Sequence, residues 1–157
     1  TNGLTFNNAT TQASAGVVLQ VVNATFSTTV TSNSSTFADT GLAATITPKF
    51  ATSKILVEVV VNGCRKYTSD TVLQLQLLRS STRITGIDGF IAFNASTSNN
   101  AVGSSCASYL DSPATTSATT YKVQLASSAN STGVRINEYT NTTGETVSFI
   151  TLLEIAA

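Results

Sequence analysis

The sequence has no histidine and no methionine, carries only two prolines and two cysteines, and is poor in charge. The missing histidine removes the usual general base, so a nucleophile–base pair of the serine-hydrolase kind lacks its central group. It also removes the ligand that could complete a zinc site with Cys64 and Cys106, whose spacing fits no zinc motif. Two cysteines so far apart make no disulfide framework, and they read as buried free thiols. Without methionine, Thr1 is not a translation start, and a processed chain or a piece of a longer one is expected. Charged residues make up 10% of the chain, against about 25% in typical soluble domains. Basic and acidic residues balance at 8 each. No region concentrates basic charge, so nucleic acid is not an expected partner. No apolar run approaches the roughly 20 residues of a membrane helix, and no signal-peptide pattern is visible. Membrane insertion is therefore not expected.

What the chain does contain is serine, threonine and asparagine in place of charge, around a hydrophobic fraction of 41%. Its 157 residues suit one domain with a real core. Residues 1–16 are polar and aperiodic apart from Leu4 and Phe6, and read as an extended arm; residues 17–157 read as the folded head. Within the head, short apolar runs alternate with Asn, Ser, Gly and Thr clusters, the spacing of a sandwich or barrel. The runs are Val17 to Phe26, Leu42 to Pro48, Lys54 to Asn62, Val72 to Ser80, Thr82 to Phe93, Val102 to Asp111, Thr119 to Ser128, Gly133 to Tyr139 and Glu145 to Ala156. An all-β fold of eight or nine strands with no helix is expected.

Period-two alternation assigns faces. Ile55, Val57, Val59 and Val61 form a continuous core face, while Leu56, Glu58 and Val60 lie opposite and are still partly apolar. The last run places Val147, Phe149, Leu153 and Ile155 on one face and Ile150, Leu152 and Glu154 on the other. A sheet facing water shows a plainly polar outer face. Two partly apolar faces point to one core and one subunit interface. The expected interface residues are Leu56, Glu58, Val60, Ile150, Leu152 and Glu154, with the two carboxylates needing partners such as Lys54 or an arginine.

Several stretches resemble a known module. VLQVVNATFSTTV, TFADTGLAATITP and ATSKILVEVVVNG form one block; YLDSPATTSATTYKVQL and ETVSFITLLEIAA form another. Together they are similar to the C-terminal head of tail fibres and related virion surface proteins of bacteriophages, especially cyanophages and other marine phages. YLDSPATTSATTYKV is the most specific stretch, and the resemblance covers nearly all of Val17 to Ala157. The arm LTFNNATTQASA resembles the LTFPDGTTQ-type linker that precedes such heads, with Asn7, Asn8 and Ala9 departing from proline-Asp-Gly. The resemblance implies an antiparallel jelly-roll sandwich, tumour-necrosis-factor-like, that forms a homotrimer on the virion surface. It also implies contact with other virion proteins on the N-terminal side.

The expected function is that of a tail-fibre head, a receptor-binding module attaching the virion to a bacterial surface glycan or protein. A structural head-fibre or capsid-decoration role is the alternative, and a bacterial adhesin or carbohydrate-binding module is a third class. No enzyme is expected. A glycosidase needs two facing carboxylates, and most of the eight acidic residues sit at turns or strand ends. No dense calcium loop occurs, and no cofactor is expected. If strands alternate in direction, the connections from Ser27 to Gly41, Gly63 to Thr71, Asp88 to Ala101 and Ala129 to Gly144 share the end distal from both termini. The candidate receptor-binding residues there are Arg65, Lys66, Tyr67, Phe93, Asn94, Asn137, Glu138 and Tyr139. Aromatic faces beside amides and charges suit sugar recognition, and Arg65 and Tyr67 are the leading pair. Phe90 and Phe93 also read as caps on the core.

Overall fold

Alternating β-branched and polar residues punctuated by Asn, Ser and Gly give ten strands in the computed structural model, which describes residues 17–67, 71–87, 100–128, 133–138 and 146–156. They are β1 (Val18–Phe26), β2 (Val30–Ser32), β3 (Ala38–Ile46), β4 (Lys54–Lys66) and β5 (Leu73–Arg79). β6 (Thr82–Gly86), β7 (Asn100–Asp111), β8 (Thr119–Ser127), β9 (Val134–Ile136) and β10 (Ser148–Ile155) complete the set. All the pairings are antiparallel.

Two sheets result. One runs β1-β10-β4 and continues through β9 to β2, with β7 also paired to β4; the other runs β3-β8-β5-β6. Setting aside the short β2 and β9, eight strands remain, and their pairing is nested. The first pairs with the last (β1 with β10), and β3 pairs with β8. Likewise β4 pairs with β7, and β5 with β6. This is one long hairpin rolled into two facing sheets, the connectivity of a jelly roll. The expected all-β jelly-roll sandwich is therefore what the strand order shows.

The core lies between the sheets. Ile55, Val57, Val59 and Val61 of β4 and Ile150 and Leu152 of β10 face Leu42 and Ile46 of β3, Leu75 and Leu77 of β5, and Tyr121, Val123 and Leu125 of β8. At roughly 25 cal/mol per Å² of apolar surface removed from water, this two-sided burial dominates the stability. One polar clamp crosses from sheet to sheet. Asp111, at the end of β7, accepts the Tyr121 hydroxyl at 2.7 Å and Arg79 Nη1 at 2.8 and 2.9 Å. Burial, then the Asp111 carboxylate, pushes the Tyr121 phenol up, so it remains a donor. Asp111 and Tyr121 both belong to the YLDSPATTSATTYKV stretch.

The structure corrects one phase. Ile150, Leu152 and Glu154 were expected on an outer interface, but all three are buried inside. Register fixes this: Ile150 stands opposite Val59, Leu152 opposite Val57 and Glu154 opposite Ile55. Glu154 accepts Gln20 Nε2 at 2.5 Å and the Lys49 backbone N–H at 2.7 Å, anchoring the turn between β3 and β4. Burial alone would raise its pKa, but hydrogen bonds from Gln20, Ser53 and the Lys49 and Phe50 backbone outweigh it and hold the carboxyl low. Leu56, Glu58 and Val60 do lie on the outer face, as expected. The thiols divide as well. Both are free, but Cys64 is buried, its pKa pushed up to about 12 by burial, whereas Cys106 is exposed on β7.

Candidate functional site

The termini-side end of the sandwich is marked by the Ala156 N–H bonded to the Val17 carbonyl at 2.9 Å. β1 and β4 run away from that end, and β10 runs back to it, so residues 26–31, 62–67 and 133–138 meet at the opposite pole. The hydrogen bonds show the meeting directly. Thr29 Oγ1 donates to the Asn137 carbonyl at 3.1 Å, and the Glu138 N–H to the Gly63 carbonyl at 3.3 Å. The described parts of three of the four expected distal connections are thus brought together; residues 68–70, 129–132 and 139–144 of these, and most of Asp88 to Ala101, lie outside the described residues.

A bulge makes the approach possible. Register between β4 and β7 shifts at Val61/Cys64 and again at Cys64/Arg65. Gly63 in this bulge has φ +60, and a Cβ there would stand 2.4 Å from the Glu138 nitrogen. Only glycine combines that backbone with that contact. Asn137 is left-handed as well, at φ 58, a conformation asparagine tolerates better than most residues. Its N–H donates to the Asn62 carbonyl at 2.8 Å, its amide donates to the Phe26 and Thr28 carbonyls at 3.1 Å each, and Ser148 Oγ donates to its Oδ1.

Beyond the bulge β4 keeps alternating, and this decides which side chains are available. Cys64 and Lys66 point inward; Arg65 and Tyr67 point outward. Lys66 is only 1% exposed and Asn137 is fully buried, so neither offers a surface contact as expected from sequence. Lys66 is an inward position of the extended strand, and Asn137 is a tie between chain segments. Phe93, Asn94 and Tyr139 lie outside the described residues.

Arg65, Tyr67 and Glu138 do come together, joined by Arg135, which the sequence reading did not single out. Arg135 on β9 stands opposite Arg65 on β4. The two guanidinium carbons lie 4.5 Å (Arg135) and 4.9 Å (Arg65) from the centre of the Tyr67 ring, within cation–π range. The Tyr67 hydroxyl donates to Glu138 Oε2. Arg135 Nη1 donates to Tyr67 Oη at 3.2 Å and to Glu138 Oε1 at 3.1 Å, and Arg65 Nη1 is 3.5 Å from the same oxygen. Burial, then the hydrogen bond to Glu138, raises the phenol pKa, so Tyr67 stays protonated at neutral pH. Arg135 remains 38% exposed and Arg65 20%, with Glu138 between them. The alternation Val134, Arg135, Ile136 was the signal available in sequence: apolar neighbours turn inward and leave the arginine outside.

Such a cluster presents rigid hydrogen-bond donors, a braced phenol and a carboxylate. It suits non-covalent recognition of polar groups. Among the described residues no group of three His, Cys, Asp or Glu could hold a metal ion.

No protein-family model matches the sequence, and neither does any curated protein. Among solved structures, the chain is similar to the infectious bursal disease virus VP2 subviral particle, at 10% identity and a TM-score of 0.39, covering 88% of this chain and 41% of that one. It is similar also to the Gx strain of that virus, at 11% identity and TM-score 0.39, covering 88% and 42%. The chain thus spans well under half the length of these viral chains. Similarity at this level carries no functional argument, and the jelly-roll assignment stands on strand order.

Proposed function

We propose that this chain is a virion-surface head of the tail-fibre kind, a homotrimer that binds a bacterial surface glycan or protein through the pole opposite its termini. Binding is non-covalent, and neither catalysis nor a cofactor takes part. The observation that carries the reading is the Arg65–Tyr67–Arg135–Glu138 cluster, held by the bulge at Gly63 on the pole farthest from Val17 and Ala156. The sequence resemblance supplies the class of particle. Tyrosine and arginine are the side chains that most often dominate interface energetics. Three copies on one axis would turn weak single sites into useful avidity. The copies pack through the outer face that carries Leu56, Glu58 and Val60.

The test is binding of fluorescently labelled protein to a panel of intact bacteria and to a glycan array. Tyr67→Ala and Arg135→Ala should each weaken binding by about tenfold or more, while Lys122→Ala on the far sheet should not. Binding that survives both cluster variants would overturn the pole as the recognition site. The second reading, a structural decoration role, is favoured by the apolar outer face of the β1-β10-β4-β7 sheet. Co-sedimentation with virion particles, in the absence of any binding to cells or glycans, would select it.

A further inference from the structure

Registers across the outer face of the β1-β10-β4-β7 sheet line side chains up in rows. Val21, Leu153, Leu56 and Leu110 form one apolar row across four strands. Phe149, Val60 and Cys106 form a second across three strands, with Thr25 at its β1 end. Between them runs a polar row of Asn23, Thr151, Glu58 and Ser108, and Glu58 is its one charge. Val21 is 58% exposed and Leu110 50%.

Every other carboxylate among the described residues has a partner. Asp39 has Lys122 and Gln124; Asp111 has Arg79 and Tyr121. Glu138 has Tyr67 and two arginines, and Glu154 has Gln20 and the Lys49 N–H. Glu58 has no salt bridge or side-chain hydrogen bond among the described residues, and neither has Lys54 on the same strand and face. They are four residues apart, about 13 Å along a strand, too far to pair within one chain. The face therefore carries one unpaired anion and one unpaired cation amid apolar rows, and is complementary to a second copy of itself.

We infer that neighbouring copies contact each other through this face, with Lys54 of one copy paired to Glu58 of the next. The inference rests on the homotrimer reading above and specifies its geometry. If the three β4 strands ran parallel to a threefold axis, every residue would meet its own copies at one height, and three Glu58 carboxylates would converge. Pairing Lys54 with Glu58 of the neighbour removes that repulsion, and it requires the β4 strands to be inclined to the axis. Each copy then gives its lysine to one neighbour and its glutamate to the other, a head-to-tail contact that closes on itself.

The experiment is solution mass by light scattering, measured over a dilution series for the full chain, Glu58→Lys, Lys54→Glu and the double reversal. Both residues are exposed, so circular dichroism and thermal melting should show all four proteins folded. The parent should have a mass near three times 16.2 kDa. Each single reversal should raise the dissociation constant by about tenfold or more, because like charges then face each other across the contact. The double reversal should restore assembly. A trimeric parent with indifferent single variants, or a double reversal that fails to rescue, would overturn the pairing and leave the trimer standing. A parent that stays near 16.2 kDa at every concentration would overturn both.

Discussion

The two outer faces of the sandwich differ in how far their charges and apolar side chains are satisfied within one chain. On the β3-β8-β5-β6 sheet, the outward residues bond to one another. Thr45 and Thr120 hydroxyls meet at 2.8 Å, Lys122 donates to Asp39 at 2.8 Å, and Gln124 donates to Asp39 at 2.8 Å while accepting Gln76 at 2.7 Å. Arg83 on β6 apart, the charges of that face pair within one chain, and the face suits water. On the β1-β10-β4-β7 sheet, mainly apolar rows flank a polar one in which Asn23 donates to Thr151 at 2.8 Å, while Lys54 and Glu58 have no side-chain partner among the described residues. A face whose charges pair within the chain offers a neighbour little, whereas exposed apolar rows with unpaired charges are what the proposed contact between copies would cover.

Adjacent residues of β4 set the inner and outer sides of the sheet against each other. Val59 faces the core at 1% exposure, and Val60 faces out, half-buried. Val59→Asp buries a charge with no partner and should cost more than about 4 kcal/mol, enough to abolish folding in urea titrations. Val60→Asp should leave the urea midpoint within the usual surface range and instead lower the solution mass. If both variants unfold alike, the outer face is not a separate surface.

The Asp111 clamp adds a polar tie between the sheets to the apolar packing that holds them. Asp111→Ala leaves the buried Tyr121 hydroxyl and Arg79 without their acceptor. Loss of an acceptor for a buried donor costs about 1–3 kcal/mol, and the variant should fall in that range by urea denaturation with unchanged m-value. A loss of a few tenths would mean that the sheets are held by apolar packing alone.

How much of this could be read from sequence turns on whether a strand's two faces differ. In β4 the inward set Ile55, Val57, Val59 and Val61 outweighs the outward one, and its phase was legible. In β10 both faces are apolar, and the carboxylate of Glu154 argued for the outside. The deciding contacts are long-range: Gln20 and the Lys49 N–H satisfy Glu154, and the register with β4 sets the rest. Local pattern holds no trace of either. The same limit applies at the pole. Arg65, Tyr67 and Glu138 were found because charge beside an aromatic near a turn is a local signal. Lys66 and Asn137 were misplaced because a bulge at Gly63 carries β4 on for another turn of alternation and draws Asn137 into the interior. The three-residue β2 offered no periodicity to read.

Glu154, whose carboxylate is held inside the chain by Gln20 and the Lys49 N–H, makes the inner side of β10 sensitive to pH. The folded-state pKa of Glu154 is depressed, so its contribution is present above the unfolded value of about 4.3 and is lost as pH falls through the lower folded value. Glu154→Gln should therefore destabilise the protein at pH 7 by about 1–2 kcal/mol and flatten the loss of stability in acid. Thermal melts between pH 3 and 7 would read this, and an acid limb as steep in Glu154→Gln as in the parent would mean that the hydrogen bonds to Glu154 do not hold its carboxylate.

The smallest effect is expected where the chain has already satisfied itself in view of water. Lys122 lowers the Asp39 carboxyl pKa by hydrogen bonding, with Gln124 adding to it, but Asp39 is half exposed and such pairs contribute about 0–1 kcal/mol. Lys122→Ala should shift stability by no more than about that amount and leave the solution mass unchanged, because Gln124 still bonds Asp39 and no apolar row is uncovered. The value of this variant lies in the pairing with Glu58→Lys. Both alter one charge on an outer face, and only the one on the β1-β10-β4-β7 sheet should alter assembly. Loss of assembly in Lys122→Ala would make the polar face the contact, and the satisfied hydrogen bonds on it would then be half of an interface rather than a surface finished in water.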